Sequence, residues 1–373
     1  MTETQSDSQR ESSLFKTLFA DFKGVFQSIF GGDLKKRISR SFTELQAFYL
    51  NDAQRARLAS KGRIRRWLLT GFWLLKAMIL KLSAVQRVLL VIGIYFLLTS
   101  DGNSDQSSNR ALIGGLIFLL ILMFELKDKL IARSELQEGH AVQKALLPPQ
   151  RPVVPGWEIW LHYQAANEVG GDLLDFQQID NDRYGIALGD VAGKGLQAAL
   201  LMAKLQATLR ALSPDFQSLS GLAAKLNQIS YRDAPMTSFA SLLYLELSEK
   251  YASTVRIVNA GHLPPLILSG KGVRELAKGD PALGLSLKAK YTEQSLELKM
   301  GEVLVVCSDG VTEARNETGE LFGEDRLLAL LNRLSGMQAH EIGERIVANI
   351  GGFVRDAPRT DDVSLAVIRR RSG

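Results

Sequence analysis

Apolar and polar positions change rhythm twice along the 373 residues. Near the start, Leu14, Phe15, Leu18, Phe19, Phe22, Val25, Phe26, Ile29 and Phe30 recur at helical spacing, with Lys16, Asp21, Lys23 and Gln27 between them, which predicts an amphipathic helix. Two apolar runs follow, 88–99 and 111–124, separated by the polar, turn-rich stretch 101–109. Extended to 82–100 and 111–126, with Arg87 snorkelling and Glu125 at the interface, they approach the roughly 20 residues that span a bilayer and predict a helical transmembrane hairpin. A buried hairpin in a soluble sensor domain is the alternative. The preceding apolar stretch, 67–82, is interrupted by Lys76 and Lys81 and predicts an interfacial helix. A linker helix over 125–147 ends at Pro148-Pro149.

Beyond Pro149 the rhythm becomes that of a mixed α/β domain. Short apolar runs at 183–188, 254–258, 303–307 and 363–368 predict buried strands, and 196–212 predicts a helix. The chain therefore divides into an N-terminal helical region (1–66), a membrane-associated region (67–126), a linker helix (127–150) and a globular domain (151–373).

Charge sharpens this division. Lys61, Arg63, Arg65, Arg66, Lys76, Lys81 and Arg87 precede the hairpin and Lys127, Lys129 and Arg133 follow it, whereas the connecting loop holds only Arg110 at its edge, so both ends should face the cytoplasm. The net charge of +5 is concentrated at 35–87, beside the apolar runs, which favours membrane lipid over nucleic acid as the basic region's partner. An acidic, Ser-rich start argues against a secretory signal. A single cysteine, Cys307, excludes an intramolecular disulfide, and its place in an apolar run marks a core thiol. The His residues are too scattered for a zinc site, and the glycines around Lys194 lack the spacing of a nucleotide-binding P-loop.

The candidate chemistry lies in four short carboxylate motifs: Gly170-Gly171-Asp172, Gly189-Asp190, Ser308-Asp309-Gly310 and Thr360-Asp361-Asp362. Asp190 and Asp309 each end a predicted strand, and Asp361 and Asp362 open another. Carboxylates held on turns at strand ends suit hard divalent cations such as Mg²⁺ and Mn²⁺, which prefer oxygen ligands and retain bound water.

Taken with Ala145-Leu146-Leu147-Pro148, Asn259-Ala260-Gly261-His262, Leu283-Gly284-Leu285 and the residues flanking the four motifs, the region from about 136 to 370 resembles the PPM family of metal-dependent protein serine/threonine phosphatases, in its bacterial stage II sporulation protein E-like branch. The resemblance implies a sandwich of two antiparallel sheets with helices outside, and two Mn²⁺ or Mg²⁺ ions at one edge. It implies that Asp190 bridges the ions and that the Val191 carbonyl adds a ligand. Asp309 and Asp361 would hold one ion, with Asp362 as the alternative to Asp361. Asp172 would orient water from behind, and Glu313 would contact water at the other ion. Ala192 stands where many relatives carry a His proposed as general acid, so leaving-group protonation is open; His262 or water could supply it. The function implied is hydrolysis of phosphoserine or phosphothreonine on a regulatory protein of the anti-anti-sigma type in bacterial partner switching. The hairpin and its flanking charge predict the inner membrane with the catalytic domain in the cytoplasm, the join of hairpin to domain predicts that the linker helix controls activity, and the resemblance adds a homodimer through 125–147. A catalytically silent binding module and a metal-dependent phosphodiesterase are the competing readings.

Overall fold

The structure, a computed structural model, describes residues 63–99, 105–233, 238–249 and 253–371. The amphipathic helix expected at 14–30 and most of the N-terminal region lie outside these residues. Two compact units result, Met1–Asp128 and Lys129–Gly373.

In the first unit, α1 (Arg63–Lys81) and α2 (Ala84–Leu98) are followed by the start of α3 (Asp105–Leu146). No helix among the described residues is long and apolar enough to cross a membrane. That overturns the expected transmembrane hairpin and the inner-membrane placement that rested on it. Two local reasons are visible. Extension of the first run back to residue 82 is blocked, because Ser83 caps α2 in a capping box with Gln86. The resulting 15-residue helix is about 22 Å long against a hydrocarbon core of about 30 Å. The second run is closed by Arg110 and Glu125, which leaves an uninterrupted apolar stretch about 21 Å long. Within this unit α2 and α3 approach closely at Gly93, where a side chain would meet Ile117 and Phe118, and at Gly114, where it would meet Leu97.

The second unit begins inside α3, which runs unbroken past Gly139 to Leu146. Ten strands form two five-stranded antiparallel sheets. One has the order β1 (Trp157–Gln164), β10 (Val363–Arg370), β9 (Val303–Cys307), β6 (Leu266–Ser269), β7 (Gly272–Glu275). The other has the order β2 (Asp172–Gln178), β3 (Arg183–Val191), β4 (Ala240–Ser248), β5 (Thr254–Ala260), β8 (Glu293–Glu297). The strands predicted at 183–188, 254–258, 303–307 and 363–368 are all present, as is the helix α4 (Leu196–Leu212).

Alternation along the strands explains the layers. In β9, Leu304 and Val306 point between the sheets, joining Ile159, Leu161, Ile186, Leu188, Leu243, Leu245 and Ile368. Val303, Val305 and Cys307 point outward, under α7 (Gly323–Asn332) and α8 (Ala339–Val354). The outer face of the second sheet is covered by α4 and α5 (Leu219–Asp233) through Leu173, Met202, Leu205, Leu209, Leu222 and Leu226. The second unit is thus an α-β-β-α sandwich. Cys307 is buried in its first helix-sheet layer, and burial pushes its thiol up to about 12, so it is a core residue and not a nucleophile.

Candidate metal centre

One edge of the sandwich gathers all four carboxylate motifs, and each sheet contributes two of them. In the second sheet, Asp172 opens β2 directly opposite Asp190 near the end of β3. In the first, Asp309 follows β9 at the start of the short helix α6 (Asp309–Thr312), and Asp361 and Asp362 precede β10, which pairs with β9. The apolar runs fix where each strand stops, and the strand ends place the carboxylates.

Hydrogen bonds stitch the two sheets together. Ser364 Oγ, on the first sheet, donates to Asp172 Oδ2 at 2.6 Å. The Asp362 carboxylate accepts from the backbone N–H groups of Ala166 (2.8 Å), Gly171 (2.6 Å) and Asp172 (3.3 Å). It is buried, and its oxygens are occupied in holding the β1–β2 loop. Asp361 is only half-buried, and its side chain accepts the Asp362 N–H at 3.0 Å. Ser308 Oγ accepts from Ser364 N at 3.0 Å and donates to the Asp362 carbonyl at 3.3 Å, which locks the Ser-Asp-Gly turn to the start of β10.

Two glycines are required by close approach. A methyl on Gly170 would collide with the Tyr163 hydroxyl and the Asp362 carboxylate, and one on Gly310 would strike the Asp362 carbonyl. Both belong to the carboxylate motifs, Gly170 two residues before Asp172 and Gly310 directly after Asp309.

The electrostatics record the crowding. Burial, then the charges of Asp309, Asp361 and Asp362, raise Asp190 from 3.8 to about 6. Burial raises Asp309, helped by Asp361 and Glu313, and burial holds Asp172 well above the ordinary range against the opposing hydrogen bond from Ser364. Every charge acting on Asp190 is another carboxylate. Among the described residues no three His, Cys, Asp or Glu side chains close into a compact ligand cluster. The arrangement is an open edge of hard oxygen donors whose mutual repulsion a divalent cation would relieve, and in donor chemistry it fits Mg²⁺ or Mn²⁺. Val191 is buried and its N–H bonds the Gly171 carbonyl at 3.4 Å; Glu313 is exposed, one turn from Asp309; Lys194 is exposed on the loop after β3.

Residues that motif reasoning passed over support these carboxylates. Ser241 Oγ accepts the Asp190 N–H at 3.0 Å. Gln143, buried on α3, brackets Gly170: its Oε1 accepts the Gly170 N–H (3.0 Å) and its Nε2 donates to the Gly170 carbonyl (2.8 Å). Ser308 belongs to the Ser-Asp-Gly motif and Ser364 to the strand run just after Asp361 and Asp362. Gln143 lies in an otherwise ordinary helical stretch with no local signal.

The profile of the stage II sporulation protein E (SpoIIE) family matches residues 180–371, more than half of the chain. The chain belongs to this family. Its SpoIIE-type domain is a PPM-type protein serine/threonine phosphatase domain. Protein IcfG of a Synechocystis species is 28% identical over 276 residues, 66% of this chain but 43% of that protein, so the chain matches less than half of that relative's length. The phosphoserine phosphatase RsbU of Bacillus subtilis is 28% identical over 242 residues, 64% of this chain and 71% of RsbU. The SiaA-PP2C domain of Pseudomonas aeruginosa superposes with a TM-score of 0.56 at 20% identity, over 65% of this chain and 98% of that one, which shows a shared fold. The observed sandwich of two antiparallel sheets with helices outside agrees with the expected fold class.

Proposed function

We propose that this protein hydrolyses phosphoserine or phosphothreonine on a regulatory protein, with two Mn²⁺ or Mg²⁺ ions held by Asp190, the Val191 carbonyl, Asp309 and Asp361. The supporting observation is that four separate motifs, two per sheet, converge on one edge where Asp190 is surrounded only by carboxylates. When bound, such ions neutralise phosphoryl oxygens and lower the pKa of water towards neutrality. Asp361 is the ligand of its pair because its carboxylate is the more exposed, whereas Asp362 is committed to three backbone N–H groups. Asp172, hydrogen-bonded to Ser364, orients water from behind, and Glu313 stands at the open side. Two relatives bear the name phosphoserine phosphatase, which favours a phosphomonoester substrate; with the motif resemblance, the substrate class is a phosphorylated anti-anti-sigma-type protein.

The test is Mn²⁺-dependent hydrolysis of p-nitrophenyl phosphate and of a phosphoserine peptide by the full chain, beside Asp190→Asn and Asp309→Asn. Metal-dependent turnover abolished by both substitutions is expected. Absence of both turnover and calorimetric metal binding in folded protein would overturn the reading in favour of a silent binding module.

A further inference from the structure

A groove runs along the first sheet's edge beside the carboxylates, between the β1–β2 loop and the connection from α8 to β10. We infer that this groove, carrying Arg355 and Arg359 over His162, is the docking site for an acidic segment flanking the phosphorylated residue of the protein substrate. The inference rests on the phosphatase reading for its substrate, and on independent features for its chemistry.

Three observations carry it. Arg355 and Arg359 both line the groove, both are exposed, and neither forms an ion pair or side-chain hydrogen bond among the described residues. Asp356, between them in sequence, does not line it. Elsewhere in the second unit Arg183, Arg210, Arg256 and Arg326 are held in ion pairs, whereas Arg274, Arg333 and Arg345 are exposed without one among the described residues but do not line this groove. Two free guanidiniums on one wall therefore mark an unmatched positive rim, suited to carboxylates.

Secondly, Arg355 has φ 52° and ψ −121°, and it is the sole non-glycine residue with positive φ among the described residues. It ends α8, a place where glycine is the ordinary occupant. An arginine held there, at a corner bordering both this groove and the hollow of Asn316, Glu317 and Thr318, is kept at the cost of backbone strain, and such outliers concentrate at binding sites.

Thirdly, the groove's floor holds an unanswered polar atom. His162 stacks on Trp160 with ring centroids 5.5 Å apart, and its Nε2 is buried without a partner among the described residues. Burial, with Arg359 nearby, lowers its basicity, so the ring bordering the groove is a neutral imidazole that adds no charge to the two guanidiniums. The groove is tied to the reacting edge: Ala166, one of its lining residues, donates its N–H to Asp362, and Arg359 lies two residues before Asp361. A chain lying in it would have its phosphorylated residue next to the carboxylates. The cations also offset the repulsion that this acidic edge exerts on an acidic partner.

The test compares two fluorescent phosphoserine peptides, one flanked by Glu and one by Gln, bound to the full chain and followed by anisotropy, with p-nitrophenyl phosphate kinetics measured in parallel. Two exposed charge pairs of ordinary strength give about a fivefold preference for the Glu peptide at low salt, shrinking as salt screens it. The expected result is that this preference vanishes in the double variant Arg355→Glu/Arg359→Glu while p-nitrophenyl phosphate turnover is unchanged. Arg355→Gly, which relaxes the backbone, should lose about half of the preference in free-energy terms while raising the thermal midpoint; it covers the case in which the double variant fails to fold. Equal affinity for the two peptides, binding of neither, or a preference that survives the substitutions overturns the inference. Failure of the phosphatase reading is distinguishable: it appears as wild-type protein without p-nitrophenyl phosphate turnover, whereas a Glu preference that depends on the two arginines would still support the groove.

Discussion

Replacing Asp190 by Asn strips one negative charge from an edge where its neighbours are also acidic, so the metal-free protein should become more stable while losing its function. The magnitude follows from the carboxyl's displacement from 3.8 to about 6. A displacement of that size corresponds to about 3 kcal/mol, and since the group keeps partial access to water, about half of that survives screening. A gain of about 1–1.5 kcal/mol is expected at pH 7.5. The sign is fixed by linkage: the native state holds this proton more tightly than the unfolded chain, so stability falls as pH rises from about 4 to about 6 and stays lowered above. Asn has no such charge, so the difference between variant and wild type should close near pH 4.

Urea unfolding in EDTA, followed by near-ultraviolet circular dichroism of the buried Trp157 and Trp160, measures this directly. Adding Mn²⁺ should stabilise wild type and leave the variant where it was, reversing their order. A variant less stable than wild type in EDTA at pH 7.5, or equally stabilised by Mn²⁺, would refute both the crowding and the assignment of Asp190 as a ligand.

Two further substitutions probe the scaffold. Gly170→Ala drives a methyl into the Tyr163 hydroxyl and the Asp362 carboxylate and should cost about 2–3 kcal/mol in urea unfolding, with loss of metal-dependent turnover. Gln143→Ala leaves the Gly170 N–H and carbonyl without their bracket and should cost about 1–3 kcal/mol. Its signature is a raised Mn²⁺ requirement in the phosphatase assay, with far-ultraviolet circular dichroism unchanged; an unaltered Mn²⁺ dependence would make Gln143 merely structural.

What the sequence disclosed follows the reach of each signal. Runs such as Val303–Cys307 are short, apolar and bounded, and an interior buried on both faces demands that pattern, so strand positions and strand-end carboxylates were readable. Pairing was not: nothing local says that β1 lies beside β10, or that Ser364 on one sheet bonds Asp172 on the other. The roles of Asp361 and Asp362 were inseparable in sequence because they are neighbours of one type; the backbone N–H groups that occupy Asp362 come from residues almost two hundred positions away. The hairpin expectation failed because hydropathy reports composition but not where a helix begins. Ser83 and Gln86 cap α2 inside the stretch that had to be helical for a full span.

The remaining chemical question is which group protonates the departing oxygen of the proposed substrate, since Ala192 stands where the resemblance places a His in other relatives, and here the structure argues against His262. The residue closes a turn: its N–H donates to Asn259 Oδ1 at 2.8 Å and its carbonyl accepts from Asn259 Nδ2 at 3.0 Å. Its ring is buried behind Asp190, with Nδ1 3.4 Å from Ser241 Oγ, the hydroxyl that accepts the Asp190 N–H. Burial lowers its pKa to about 4, so about one molecule in a thousand carries the imidazolium at pH 7, and a general acid works best with a pKa near the working pH. A catalytic acid must be protonated, so activity depending on His262 would already be lost above about pH 4. His262→Gln should therefore keep the alkaline limb of the kcat profile where wild type has it and reduce kcat by less than about tenfold, through loosening of Ser241 beneath Asp190. A loss of about a hundredfold or more together with disappearance of the alkaline limb would reinstate His262 as the acid. The expected outcome leaves the proton to water at the edge, which the half-buried Asp190 and Asp309 and the exposed Glu313 leave open to solvent.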